Sequence, residues 1–574
     1  MKTKALMLAA VAAAAALTWL THEKVVHAGS GGSGRIDHVL LLSIDGMHAV
    51  DFLNCAHGIA GVNDGRPYCP HLAALANIGV NYVATSSSKP SDSFPGLAAI
   101  VTGGSPKTTG LYYDVAYDRS LDPPATTTGT GLAGGTCTPY AAPAGTTTDN
   151  DQGSEYDDTK LNGGAPGASP IDGGIASLDP QKLERDPATG CSPVFPWDFV
   201  RTNTIFSVVH SAGGYTAWID KHASYSFVAG PGGYGLDDYY SPEVDSTVIK
   251  LPGITTAEGV SCAKIRDNSA AGVSAWNNGF ENIQCYDALK VHALLSEIAG
   301  KTHAGAAAST PALFGMNFQS VYVGESVYEP NVGKGGYKNS AGAPSDELLK
   351  EIDFVDASIG DIVTALKNAG IYDDTLLIVA AKHGASPIDP NLYVANGTNT
   401  PATLLATAGY IPSSESPLTS GGIGATEDDV SVLWLKAGAN VDDAVDLLET
   451  NKSQIGLGQL YYGPSLALNY NQGGLGPGLD PRSPDIIVTP NVGMTYSGST
   501  TMIADHGGFA HDDTNVMLLV SNPGFAPQTV AATTTTMQVA PTIVKALGLD
   551  PKALDAVRAE GTQVLPEVVS QLPQ

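Results

Sequence analysis

Ser93 stands immediately before Phe94-Pro95-Gly96, at the head of the apolar, helix-like run Leu97-Ala98-Ala99-Ile100-Val101. A serine at a helix start lies where backbone N–H groups and the positive dipole end converge. That setting favours an oxyanion on the side chain and a bound phosphate or sulfate. Taken alone, the segment also fits a plain N-cap at Ser91 or Ser93. Asp45 ends an apolar run in an Asp-Gly pair, which fits either a carboxylate at the ligand-gathering edge of a sheet or a simple turn. His383, in Lys382-His383-Gly384, follows a second apolar run, and a histidine on a strand-end loop is a candidate ligand. Asp505-His506-Gly507-Gly508 continues to His511, giving two histidines and an aspartate beside glycines. Asp220-Lys221-His222 is a weaker pair because a lysine separates the two ligand types. His48, His222 and His511 read as structural or rim residues.

Four buried-strand patterns must position these groups. Residues 36–44 (IDHVLLLSI) form an apolar run of strand length, buried on both faces as in a parallel sheet. Residues 80–85, 312–318 and 375–381 read as further strands, with shorter ones at 215–219, 430–435, 484–488 and 516–521. Helical patterns cover 72–78, 204–212, 286–298, 345–369, 442–449 and 540–547, and the acids Asp353, Asp356 and Asp361 of 345–369 read as its solvated face. Thr, Gly, Pro, Ala and Asp dominate the stretch near 113–200, and 230–290 is a second irregular excursion. Both read as insertions around a site. The acids of the first read as a solvated loop, since no D-x-[DN]-x-[DN]-G loop is present. Together these predict a mixed α/β sandwich with a large, mostly parallel sheet and helices on both faces. The site should lie at the carboxyl edge of the strands, roofed by the insertions.

The first 28 residues read as an export signal. A basic Met1-Lys2-Thr3-Lys4 precedes an alanine-rich apolar run, and Val26-His27-Ala28 offers small residues for cleavage. A flexible leader, 29–35, follows; the folded domain spans 36–560, and 561–574 is a tail. The chain of 574 residues has a formal charge of −28. Residues 1–28 hold Lys2, Lys4, Lys24 and Glu23, a net +2, so the remainder stands near −30. Such a surface repels nucleic-acid backbones and anionic membranes, yet leaves room for a small anionic ester in a locally positive pocket. Secretion or a periplasmic location follows, with no membrane attachment after cleavage. Six cysteines in an exported chain argue for disulfides. Proximity pairs Cys55 with Cys69, Cys137 with Cys191 and Cys262 with Cys285. No C-x-x-C or Walker pattern is present.

Four strand-end features recur in order: Ile44-Asp45-Gly46, Ser93-Phe94-Pro95-Gly96, Lys382-His383-Gly384 and His506-Gly507-Gly508. With Val101-Thr102-Gly103-Gly104 and Val355-Asp356-Ala357-Ser358-Ile359-Gly360, they resemble the alkaline phosphatase superfamily, in its branch of type I phosphodiesterases/nucleotide pyrophosphatases and phosphonoacetate hydrolase. The resemblance spans about residues 36–550. It implies an alkaline-phosphatase-like α/β sandwich and exported, metal-dependent hydrolysis of phosphate esters, most simply phosphodiesters or nucleotide pyrophosphates. In that family two zinc ions clamp an in-line displacement by a Ser or Thr nucleophile. The resemblance places the nucleophile at Ser93, ligands of one metal at Asp45 and His383, and a ligand of the other at His506. It implies that metals are needed, because nothing in the Ser93 segment can act as a general base.

The chain departs from that pattern. Lys382 stands where the family has an aspartate, and Asn317 and Val321 stand where it has an Asp and a His. One metal site would keep only Asn317, which then contacts substrate, and His506. Two outcomes are open. A single divalent ion (zinc, or else calcium or manganese) is held by Asp45, His383 and groups such as Asp505 or Asp220, with Lys382 stabilising the transferred group. Alternatively, the fold survives as an inactive anion-binding protein. A single-metal phosphonate or sulfate ester hydrolase is the enzymatic alternative, although Ser93-Phe94-Pro95-Gly96-Leu97 lacks the arginine that sulfatases carry after this position.

Overall fold

The computed structural model describes residues 35–572 apart from 130, 151–177, 245–254, 258–261, 263–277, 413–414 and 416–425. The signal and almost all of the leader, with parts of both insertions, lie outside the described residues. Eight strands build the central sheet: β1 (His38–Ile44), β2 (Gly79–Tyr82), β3 (Ala217–Ile219), β4 (Asp238–Tyr240), β5 (Leu313–Phe318), β6 (Thr375–Ala380), β7 (Leu518–Ser521) and β8 (Gln528–Val530). Their order is β8-β2-β7-β6-β1-β5-β3-β4. Every pairing is parallel except the two made by β7, which runs antiparallel to β6 and β2.

β1 is central, and its alternation sorts its side chains between two cores. Val39 and Leu41 point to one face with Leu376, Ile378 and Ala380 of β6. Leu40, Leu42 and Ile44 point to the other with Leu377 and Val379. Each fully buried Leu or Ile contributes roughly 1.5–3 kcal/mol, so the apolar run must have helices on both sides. The helices are α1 (Ala49–His57), α2 (Pro70–Ala76), α3 (Ser93–Thr102), α4 (Phe280–Ile298), α5 (Ser320–Ser326), α6 (Asp346–Ala369) and α7 (Val539–Ala546). The first face is covered by α3 and α7 through Phe94, Leu97, Ile100, Val539 and Ile543. The second is covered by α4 and α6 through Leu294, Leu348, Ile352, Ile359 and Ile362.

In α6, Ser345 caps the start by accepting from Leu348 N at 3.1 Å, and Gly370, at φ 73°, ends the helix in the left-handed conformation. Asp353 and Asp361 are exposed as expected, but Asp356 is not. Its carboxylate is buried and accepts from His71 N at 3.1 Å and Leu72 N at 2.7 Å. These are first-turn amides of α2, whose own N-cap residue Cys69 makes no side-chain cap. Asp356 supplies that cap from a neighbouring helix.

A second, smaller core lies beside the sheet. Helices Pro401–Thr407 and Val441–Thr450 pack on an antiparallel three-stranded sheet of Ser431–Leu433, Ile486–Pro490 and Leu457–Tyr462. The first insertion leans on it: Tyr112, Tyr113 and Tyr117 pack with Val432, Trp434 and Ile487. This part of the insertion therefore packs on the small sheet, whereas Leu121, Phe199 and Val200 join the first face of the main core.

All three disulfides pair as their spacing suggested. Cys55–Cys69 is fully buried and ties α1 to the start of α2. Replacing both cysteines by alanine is expected to cost about 3 kcal/mol, read as a lower denaturant midpoint.

Candidate active site

The register of the sheet assembles the site. Ser43 of β1 lies between Asn317 of β5 and Ala380 of β6. The carboxyl ends of β6, β1, β5 and β3 therefore stand in a row. They carry Lys382-His383, Asp45, Asn317 with Gln319, and Asp220-Lys221 respectively.

Ser93 enters from above on α3. The helix cap is neither serine: Asp92 accepts from Phe94 N at 3.0 Å. Ser91 donates its hydroxyl to Asp513 O at 2.6 Å and also meets Ser87. With capping done by Asp92, the Ser93 side chain faces the strand ends. Its Oγ lies 2.9 Å from His383 Nε2 and 3.4 Å from Lys221 Nζ.

The tautomer of His383 follows from its other nitrogen. Nδ1 lies 2.9 Å from the Gly384 carbonyl, which can only accept, so Nδ1 carries the proton. Burial pushes the imidazole pKa down to about 4, and Lys221 and Lys382 act in the same direction. The ring is therefore neutral at ordinary pH, with a bare Nε2 aimed at the Ser93 hydroxyl. The Ser93 segment itself holds no such nitrogen; this one comes from a strand end 290 residues away in sequence.

Asp45 is wholly buried. Its Oδ2 accepts from Asn317 Nδ2 at 3.2 Å and from Gln319 Nε2, with Lys382 Nζ at 3.7 Å and His383 Nε2 at 3.9 Å. Burial alone would raise its pKa, but the Lys382, His383 and Lys221 charges outweigh that and hold the carboxyl well below its usual range. Asp220 accepts from Trp218 Nε1 at 2.9 Å, from Lys221 N at 2.9 Å and from Lys382 Nζ at 3.3 Å. Lys382 also sits 4.4 Å over the Tyr225 ring. Burial lowers its pKa, and Asp220 and Asp45 oppose that.

His506 reaches the same place. Its ring lies 4.1 Å from that of His383 and 5.0 Å from that of Tyr322, and its Nδ1 is 3.6 Å from Asp92 Oδ1. Asp505 accepts from Tyr322 OH at 3.1 Å. All six expected site residues (Asp45, Ser93, Asn317, Lys382, His383 and His506) thus converge. His222 pairs with Glu243 at 2.7 Å, and His511 is exposed. His48 belongs to a buried network with Asp51, Glu325 and Tyr337. Sequence reading missed Gln319, Tyr225 and Tyr322 and undervalued Lys221. The only signal for Lys221 was its place one residue past a strand-end aspartate.

The residues do not fit a pair of metal ions. Among the described residues, sets of three or more His, Cys, Asp or Glu ligand atoms within 4.8 Å of one another occur only at His48/Asp51/Glu325 and at Asp122/Cys137/Cys191, the latter containing a disulfide. Neither includes Asp45, His383 or His506. Two ammonium groups line the site instead, Lys221 beside Ser93 and Lys382 engaging both the Asp45 and the Asp220 carboxylates.

Below the His506 loop, Asp513 accepts from Gly508 N and Ala510 N, each at 3.1 Å, and Asp429 donates its N–H to His506 O at 3.0 Å. Burial pushes the Asp513 carboxyl up to about 7, and burial together with the Asp513 charge pushes Asp429 well up. A raised folded-state carboxyl holds its proton where the unfolded chain has lost it. The resulting stability is full below the ordinary carboxyl pKa of about 4 and is lost progressively as pH rises to about 7. The melting temperature should fall by roughly 5 °C between about pH 4 and about pH 7, and Asp429→Asn should flatten that fall.

A mostly parallel sheet with a serine on a helix start above its carboxyl edge, facing the Asp and His of two neighbouring strand ends, is the architecture of the alkaline phosphatase superfamily. Within it, the chain belongs to the type I phosphodiesterase/nucleotide pyrophosphatase family, whose profile matches residues 39–139 and 326–509. That match includes Asp45, Ser93, Lys382, His383 and His506, and excludes Asp220, Lys221 and Asn317. Murine ectonucleotide pyrophosphatase/phosphodiesterase 5, solved as an inactive variant in complex with AMP, is 14% identical, with a TM-score of 0.50 over 90% of this chain and 96% of its own. The human protein of the same name is 12% identical, with a TM-score of 0.51 over 89% and 95%. No curated protein sequence matches the chain.

Proposed function

We propose that this chain hydrolyses phosphate esters, of the phosphodiester or nucleotide pyrophosphate class, through a covalent intermediate on Ser93. The observation that carries this reading is the Ser93 Oγ, at the N-terminus of α3, 2.9 Å from the bare Nε2 of His383. His383 takes the hydroxyl proton as Oγ attacks phosphorus. The Oγ–P bond forms, the bond to the leaving oxygen breaks, and the imidazolium returns its proton to that oxygen. Water then attacks the seryl ester with the same imidazole as base, releasing the phosphate monoester and restoring Ser93. Lys221 and Lys382 lie where negative charge collects, and the first amides of α3 add their dipoles. That the murine protein of the same fold was solved in complex with AMP supports a nucleotide-like ester. No step is routed through a metal, because among the described residues no three His, Cys, Asp or Glu ligand atoms converge at Ser93.

The test is to trap the intermediate. Mixing the protein with an aryl phosphodiester or a dinucleotide, quenching in acid and mapping peptides should find the retained monoester on Ser93. A second reading, an anion-binding member without turnover, is favoured by one observation: Ser93, Lys382 and His383 are each at most 1% exposed. The partly exposed Tyr322 and His506 rings pack against the His383 ring, at 5.4 Å and 4.1 Å. Absence of both adduct and turnover would establish that second reading.

We also infer export through residues 1–28 into an oxidising compartment. Three disulfides support this. Among the described residues, no helix is long and apolar enough to cross a membrane.

A further inference from the structure

A divalent ion is held by carboxylates and imidazoles whose lone pairs converge and whose negative charge offsets its own. The Ser93 pocket is charged in another way. Lys382 Nζ, wholly buried, bridges Asp45 at 3.7 Å and Asp220 at 3.3 Å. Lys221 Nζ lies 3.4 Å from the Ser93 hydroxyl. Tyr225 backs both ammonium groups, at 4.4 Å and 5.7 Å from its ring centre.

The substitutions nearly balance the charge of the missing ions. Against the family pattern that the sequence resembles, Lys382 in place of an aspartate makes the site more positive by two units, and Asn317 in place of an aspartate adds one. Two zinc ions would bring four. A third lysine, Lys290, is fully buried beneath β5, donating to the Asn317 carbonyl and pairing with Asp287 at 2.9 Å. Three ammonium groups are thus fixed to the scaffold near the strand ends, with the Lys290 charge balanced by Asp287.

We propose that the Lys382 and Lys221 ammonium groups take the place of the metal ions, so that this pocket binds the phosphate group of its ester with no ion at all. The inference rests on the reading of the Ser93 pocket as a phosphate-ester site. Its direct competitor is a single ion on Asp45 Oδ1 and Asn317 Oδ1, two buried oxygens without a hydrogen-bond partner.

The test uses the full chain purified without chelators. Elemental analysis, before and after incubation with Zn²⁺, Mn²⁺ or Ca²⁺ and desalting, should find less than about 0.1 ion per chain. Calorimetric titration with inorganic phosphate should give the same affinity with and without EDTA. Lys382→Met and Lys221→Met should each weaken phosphate about tenfold or more. Lys382→Asp should lose phosphate binding and gain about one zinc. One ion per chain retained by the wild type and lost in His383→Ala would overturn the inference. So would phosphate binding abolished by EDTA, or Lys→Met variants that bind phosphate like the wild type. The wild-type measurements alone decide the matter if the variants misfold. A wild type that binds no phosphate under any condition overturns this inference and the phosphate-ester reading together. Phosphate binding without turnover supports this inference while removing only the hydrolase.

Discussion

Ser93→Ala is expected to lower kcat for any phosphate ester the protein turns over by about 10³-fold or more, with little change in folding stability. The expectation follows from what the hydroxyl touches. Its polar neighbours are His383 Nε2 and the Lys221 ammonium, and helix capping is done by Asp92. The hydroxyl therefore takes no part in capping the helix. Ser93→Thr should keep a measurable rate, since the secondary hydroxyl retains a nucleophile at the same helix position. The pH profile provides an independent check. A histidine whose pKa is lowered by burial to about 4 stays a competent base down to about that pH. The acid limb of kcat should therefore fall near there rather than near the ordinary histidine value of about 6.5. Full activity in Ser93→Ala would remove the serine from the reaction, and an acid limb near the ordinary value would remove His383 as its base.

Gly96→Ala should be nearly as damaging for a different reason. A Cβ at this position would meet the Lys382 carbonyl oxygen at 2.4 Å and the Lys382 carbonyl carbon and Cβ at 3.0 Å. These are backbone atoms and the stem of a buried residue, so the helix or the strand end must move. Overpacking of this kind costs about 1–3 kcal/mol. The displaced segment is the one that carries Lys382 and His383, so the 2.9 Å contact to Ser93 opens as well. A misplacement of about 1 Å is enough for a hundredfold loss. Both a lower melting temperature and a kcat loss of about that size are expected. A variant as stable and active as the wild type would show that α3 does not clamp the strand end.

The chemistry-bearing residues were legible in the sequence because they follow runs whose pattern is local. Residues 36–44 and 375–381 are apolar throughout, which forces strands buried on both faces, and in a parallel sheet the residue after such a strand lies at the ligand-binding edge. Asp45 and His383 were visible for that reason, and Ser93 for its place at a helix start. The disulfides were legible because each joins neighbours in sequence across a short excursion.

Which of these side chains face one another was decided by the tertiary structure alone. The pairing of Ser93 with His383 depends on sheet register and on how α3 lies over β6, and neither leaves a mark in either segment. The antiparallel β7 was hidden because a short buried strand has the same apolar pattern in either direction. Asp356 looked solvated by its spacing on α6, yet it caps α2, because a helix start without its own cap recruits the nearest carboxylate. Lys221 looked like an interruption between an aspartate and a histidine. Placed beside the Ser93 hydroxyl, it becomes one of two fixed cations in a pocket where the family pattern led one to expect metal. Sequence periodicity settles what is buried and in which element, since both depend on neighbours a few residues away. The charge and reach of the site depend on groups up to hundreds of residues apart, and only the packed sheet brings them within bonding distance.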